Sequence, residues 1–203
     1  MSTLLRTLNT LTRHKPLPSS TSSLISLPSS RYLSTPTSPP SPVTIPEIHD
    51  HQTRWGHAIR SISTLYLTSS DFISAASSAA SDLYGYNDGT EVIFKPTKAT
   101  HHPFRPTPES AMSYFVGGSN YPSGYPSEDF GFAINSGKGW SDVTFKNHTV
   151  MVVDGLGFAG GVYEFTCATE GEVVTVEYTK GYKRGSDGIV RLFLHHSSVP
   201  YKP

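Results

Sequence analysis

Apolar residues recur at helical spacing in one part of the chain and at strand spacing in the part that follows. Trp55, Ala58, Ile59, Ile62, Leu65 and Tyr66 stand at intervals of three and four, which predicts an amphipathic helix from about Glu47. Asp71 is placed to cap a second helix that gathers Phe72, Ile73, Ala76, Ala79, Ala80 and Leu83 on one side. Asn87-Asp88-Gly89 interrupts the pattern, and Glu91 to Lys95 reads as a short strand that Pro96 ends or confines to an edge. Thr107-Pro108 predicts a third helix start, with Ala111, Tyr114 and Phe115 on one face and Gly117-Gly118 as its stop.

After a Gly/Tyr/Pro/Ser loop at 119–127 the period becomes two. Strands are predicted over roughly 129–134, 142–147, 149–154, 158–167, 172–184 and 188–196, with turns at Asp154-Gly155, Glu170-Gly171 and Ser186-Asp187-Gly188. The long final segments and their short connections predict an antiparallel meander. Helices followed by a meander imply an α+β fold, with the helices packed on one face of a strongly bent, mostly antiparallel sheet. Such a cone has an open mouth and makes a ready pocket.

Composition adds a leader. Residues 1–41 hold no acidic residue, carry Arg6, Arg13, Lys15 and Arg31, and are rich in Ser, Thr and Pro. Leu4, Leu8 and Leu11 fall at helical spacing, and Arg31-Tyr32-Leu33-Ser34 is similar to a mitochondrial processing site. This is the composition of an organelle transit peptide, mitochondrial in the first reading and plastid in the alternative. With a linker it occupies residues 1–46, leaving one domain at 47–203. Once those four cations are set aside, 12 basic residues face 16 acidic ones, which gives no electrostatic case for binding nucleic acid. No apolar run approaches the roughly 20 residues of a membrane span. Cys167, the one cysteine, lies in an alternating apolar run and is expected to be buried.

The conspicuous chemistry is the ending Leu194-His-His-Ser-Ser-Val-Pro-Tyr201. On a regular strand Val190, Leu192, Leu194, His196 and Ser198 share one face, apolar until its last two residues. Neighbouring histidines then point apart, so His195 and His196 are not expected to hold one ion together. His49-Asp50-His51 is read as a solvated segment at the start of the domain. None of the nine histidines forms an HExxH or HxxxH pair, so a metal site would have to be assembled across elements, for instance from His102, His196 and a carboxylate.

Several blocks occur in order: Glu91-Val-Ile-Phe-Lys-Pro-Thr97, Phe104-Arg-Pro-Thr107, Ser113-Tyr-Phe-Val-Gly-Gly118, Glu128-Asp-Phe-Gly-Phe-Ala133, Val176-Glu-Tyr-Thr-Lys-Gly-Tyr-Lys-Arg184 and the HHSS ending. Together they resemble the iota-class carbonic anhydrases, a group related to the association domain of calcium/calmodulin-dependent protein kinase. The resemblance covers about residues 50–203. It implies a cone-shaped α+β barrel of the nuclear transport factor and ketosteroid isomerase type, often a homodimer. It also implies reversible hydration of CO2 to bicarbonate inside the cone, with no cofactor in some members and manganese or zinc in others.

Carried over by motif, the polar pocket residues are Thr97, Tyr114, His196 and Ser198. Tyr114 and Ser198 would hold the water, Thr97 would donate to a CO2 oxygen, and His196 would relay a proton. Phe94, Val190, Leu192 and Leu194 would line the CO2 slot. Arg105 reads first as a structural ion-pair or capping group, and Tyr163, Tyr178 and Tyr182 as wall residues. The alternative is a non-catalytic association module, which needs no enclosed polar cluster. An isomerase of the same fold would need a carboxylate base in the cone, for which Glu164 and Asp142 are weak candidates.

Overall fold

The computed structural model describes residues 40–203. The expected leader lies outside the described residues, apart from its last few positions. Of those, Val43 is buried, its N–H donates to the Gly155 carbonyl, and Arg184 donates to the Ser41 and Pro42 carbonyls. Helix α1 runs from Ile45 to Leu67, with Pro46 in its first turn. Glu47 accepts from the Thr44 N–H and hydroxyl and from Arg184, so its carboxylate closes the helix start and clips it to the sheet.

Helix α2 spans Phe72–Leu83, and Asp71 caps it by accepting from the Ser74 N–H. Helix α3 spans Pro108–Val116 behind a Thr107–Ser110 capping box. Every residue of α3 from Ser110 to Val116 is buried, and only its first turn, at Pro108 and Glu109, reaches solvent.

Strands β1 (Ile93–Lys95), β2 (Trp140–Val153), β3 (Leu156–Cys167), β4 (Val173–Arg184) and β5 (Val190–Ser198) form one sheet in the order β1-β5-β4-β3-β2. The four long strands are an antiparallel meander, while β1 joins β5 in parallel. The sheet is open, and three helices pack on it. Two expectations change. Residues 129–134 form turns, not a strand, and 142–147 and 149–154 are one strand with an irregularity at His148. No turn residue stands between those segments, and a bulge absorbs the change of phase.

The core is aromatic. Trp55 stacks on Tyr163 and makes edge contacts with Phe145 and Phe165. Trp55, Tyr163 and Phe165 are fully buried, and each such ring contributes roughly 1.5–3 kcal/mol by area alone. Cys167 is buried, as its alternation predicts.

Candidate active site

The last strand does not keep one parity. Tyr182 pairs with Leu192 and Gly181 with Leu194, so Phe193 has no partner across the ladder. This is a β-bulge, and Gly181 permits it. A Cβ at 181 would stand 2.8 Å from the Phe193 ring and 2.9 Å from Leu194 Cβ. Beyond the bulge the inward set changes: Val190 and Leu192 face the core, then His195 and Ser197. The expected shared face of Val190, Leu192, Leu194, His196 and Ser198 is therefore corrected. His196 is exposed, and Ser198 donates to Glu177 at 3.0 Å on the outer face. Leu194 leaves the expected CO2 slot with them, while Phe94, Val190 and Leu192 stay buried.

Thr97 and Tyr114 lie inside. The Thr97 hydroxyl donates to Ser197 Oγ at 3.0 Å, joining the end of β1 to the end of β5. Tyr114 is buried between Phe94 and Phe132. Burial pushes its hydroxyl well above the usual tyrosine range, opposed by the backbone N–H groups of Lys98 and Thr97 close to it. A cavity of about 100 Å³ opens beside it, lined by Lys98, Glu128, Phe130, Phe132 and Trp140 among others.

His195 is 2% exposed and lies flat against Phe94, with ring centroids 5.0 Å apart. Its tautomer follows from donor arithmetic. Trp55 Nε1–H can only donate, and it donates to the Tyr84 hydroxyl at 3.1 Å. The Tyr84 proton is then directed to His195 Nδ1, 2.8 Å away. That leaves the imidazole proton on Nε2, 3.4 Å from the Tyr163 hydroxyl. Burial holds His195 well below the ordinary histidine range, so the ring is a neutral donor into the pocket. Burial likewise drives Tyr84 and Tyr163 far above the tyrosine range, so both remain protonated hydroxyls.

Three buried groups escaped the sequence reading. His51 is not solvated: it is fully buried on α1 and its Nε2 bonds the Leu83 carbonyl at 3.0 Å. Burial brings it down to about 3. The signal was present, because His51 stands four residues before Trp55, on the same helix face. Lys180 is fully buried opposite His195, the strand partner it faces across β4 and β5. Tyr84 precedes a short 3₁₀ turn and nothing in its local pattern marks it. Arg105 is the ion-pair group that was expected: it is fully buried and meets Asp129 at 2.7 Å.

The mouth is held by Glu128. Its carboxylate accepts from His102 Nδ1 at 2.9 Å and from the backbone N–H groups of Thr100, His101 and His102. Burial raises its pKa, but the His102 bond and these N–H groups outweigh that and bring it to about 2. His102 thus serves this latch, while His196 is exposed on β5. Among the described residues no three His, Cys, Asp or Glu side chains are grouped to hold a metal ion. Glu164 pairs with Lys146 and Asp142 is exposed, so neither offers a carboxylate base to the cone.

The fold and its buried polar cluster define an α+β cone with a hydroxyl- and imidazole-lined interior. Residues 46–199 match the metal-independent carbonic anhydrase family, and the chain belongs to that family. A metal-independent carbonic anhydrase of Nostoc sp. (strain PCC 7120) is 35% identical over 167 residues, which cover 79% of this chain and 75% of that protein. The crystal structure of a cyanobacterial iota-carbonic anhydrase complexed with bicarbonate is 31% identical, with a TM-score of 0.70, covering 82% of this chain and 99% of that one.

Proposed function

We infer that this protein hydrates CO2 reversibly to bicarbonate, without a metal, at the cluster formed by Thr97, Tyr114, His195 and Ser197. The observation that supports these residues is the buried chain of hydrogen bonds Trp55–Tyr84–His195, set beside Thr97–Ser197. The solved relative is complexed with bicarbonate, which supports bicarbonate as the product here.

CO2 is uncharged, and negative charge grows on its oxygens as water attacks. Donors already aimed at that position stabilise it without reorganising. His195 Nε2–H and the hydroxyls of Ser197 and Tyr114 are such donors. Phe94, Leu192 and Val190 supply the apolar wall against which a linear, nonpolar molecule rests. The enclosed polar cluster favours this reading over an association module, which has no use for one.

The test is CO2 hydration by the full chain after chelation, with metal content verified. Activity retained without metal and reduced about 100-fold in Ser197→Ala or Tyr114→Phe is expected, the scale for loss of one preorganised donor. Activity that returns only on adding manganese or zinc would redirect the assignment to metal ligands.

The leader composition supports delivery to the mitochondrion, with the plastid as the alternative, and a fluorescent fusion of residues 1–46 tests it. A homodimer is proposed from the family resemblance, and sedimentation of the purified chain tests it.

A further inference from the structure

Hydration of CO2 releases a proton. The hydroxyls of Thr97, Ser197, Tyr84, Tyr114 and Tyr163 are not bases, and the basic lone pair of His195, on Nδ1, is occupied by Tyr84. The cone nevertheless contains an unused nitrogen base. Lys180 Nζ is completely buried and has no hydrogen-bond partner among the described residues. It lies 3.9 Å above the Trp55 ring and 4.5 Å from that of Phe145, with Tyr163 at 5.3 Å and Tyr178 at 5.7 Å.

The titratable groups facing it are His51 from α1, His195 from β5, Tyr163 from β3, and Tyr178 and Tyr182 from β4. None is a carboxylate, and no described side chain forms an ion pair with it. A permanent ammonium there would be an unpaired buried charge with no hydrogen-bond acceptor, an arrangement that costs several kcal/mol. Accordingly burial holds its pKa well below the lysine range. The four aromatic faces partly offset this, since a cation over a ring gains roughly 0.5–2 kcal/mol. The cage thus makes the neutral amine the resting form while keeping the protonated form within reach, as a general base requires.

We propose that Lys180 is a further catalytic residue, the neutral amine that takes the proton from the attacking water. This rests on the carbonic anhydrase reading above. In the hydration direction the water oxygen bonds to the CO2 carbon, and one C=O electron pair moves to its oxygen. The water O–H bond breaks and its proton joins the Nζ lone pair, giving bicarbonate and the Lys180 ammonium. The ammonium then loses its proton to solvent, and dehydration runs the same steps backwards.

The test uses the full chain with lysine labelled at Cε, titrated by NMR from about pH 6 to about pH 11, beside initial rates of CO2 hydration. Lys180→Met assigns the resonance. It keeps the side-chain length and removes a buried polar group that has no hydrogen-bond partner, so thermal melting should show it folded and no less stable. The expected result is a Lys180 midpoint displaced clearly below those of the exposed lysines in the same spectrum. Lys180→Met should then lose about 100-fold or more in kcat, the scale of general-base catalysis. Lys180→Arg, a cation that does not deprotonate, should lose as much. An active native protein whose Lys180 titrates like a free lysine overturns the base role alone. So does a folded Lys180→Met that keeps its kcat within about threefold. A native chain that hydrates no CO2 overturns the carbonic anhydrase reading and this role with it.

Discussion

Thr97 and Ser197, a hundred residues apart, share a hydrogen bond of 3.0 Å inside the cone, while Ser198 turns outward to Glu177. The bond depends on the parallel pairing of β1 with β5, where Lys95 lies beside His196. Adjacent serines are thereby given opposite surroundings. Ser197→Ala is expected to lower CO2 hydration about 100-fold, on the scale of one lost donor. Ser198→Ala should stay within about twofold, as an outer-face substitution does. Initial-rate measurements on the two variants check this, and the reverse ranking would return the site to the other face of β5.

The bulge at Phe193 is the device that turns His195 and Ser197 inward, and Gly181 is its permission. Gly181→Val places a side chain where the Phe193 ring lies. Overpacking of this kind costs about 1–3 kcal/mol. Urea unfolding should show that loss. Activity should fall further than stability accounts for, because the two site residues move with the strand.

Arg105 and Asp129 form a completely buried ion pair under the mouth loop, and Asp129 also accepts from Ser113 at 2.5 Å. Asp129→Ala leaves the guanidinium buried without its partner. Loss of about 3–5 kcal/mol in unfolding free energy is expected. Arg105→Met combined with Asp129→Leu should recover much of it, which equilibrium unfolding of the three variants will show.

His51 is neutral when folded, with its pKa brought down from 6.5 to about 3 by burial. Above pH 6.5 the folded and unfolded histidine are both neutral, and the group has no effect on stability. As the pH falls below 6.5 the unfolded state takes up a proton that the folded state refuses, so stability drops. The slope is about 1.4 kcal/mol per pH unit until the folded pKa is reached. Urea unfolding at several pH values between these limits should show a slope about one proton smaller in His51→Gln, whose amide can still donate to the Leu83 carbonyl. An unchanged slope would contradict the assignment of a neutral buried ring.

Much of this architecture is local and therefore legible. Asp71 and the Thr107-Pro108 pair announce their helices because capping uses side chains within three residues of the backbone they satisfy. The meander turns follow from Gly at positive φ, as at Gly155, Gly171 and Gly188. Thr97 and Tyr114 were identified through motif resemblance, and both lie inside the cone. The sequence by itself determined the helix starts, the strand alternation, the charge asymmetry and the residue types available for chemistry. It could not assign the inward histidine. That depended on one unpaired residue in β5, which is tolerated only because a glycine stands in the neighbouring strand. Period-two reasoning carries parity forward without limit, whereas a bulge resets it, and the bulge is a property of two strands. The same applies to His51 and Lys180. Their burial is decided by which aromatic rings close around them, and those rings come from α1, β2, β3 and β4. Side-chain identity is written locally, but desolvation and hydrogen-bond partnership are set by the packing of distant segments.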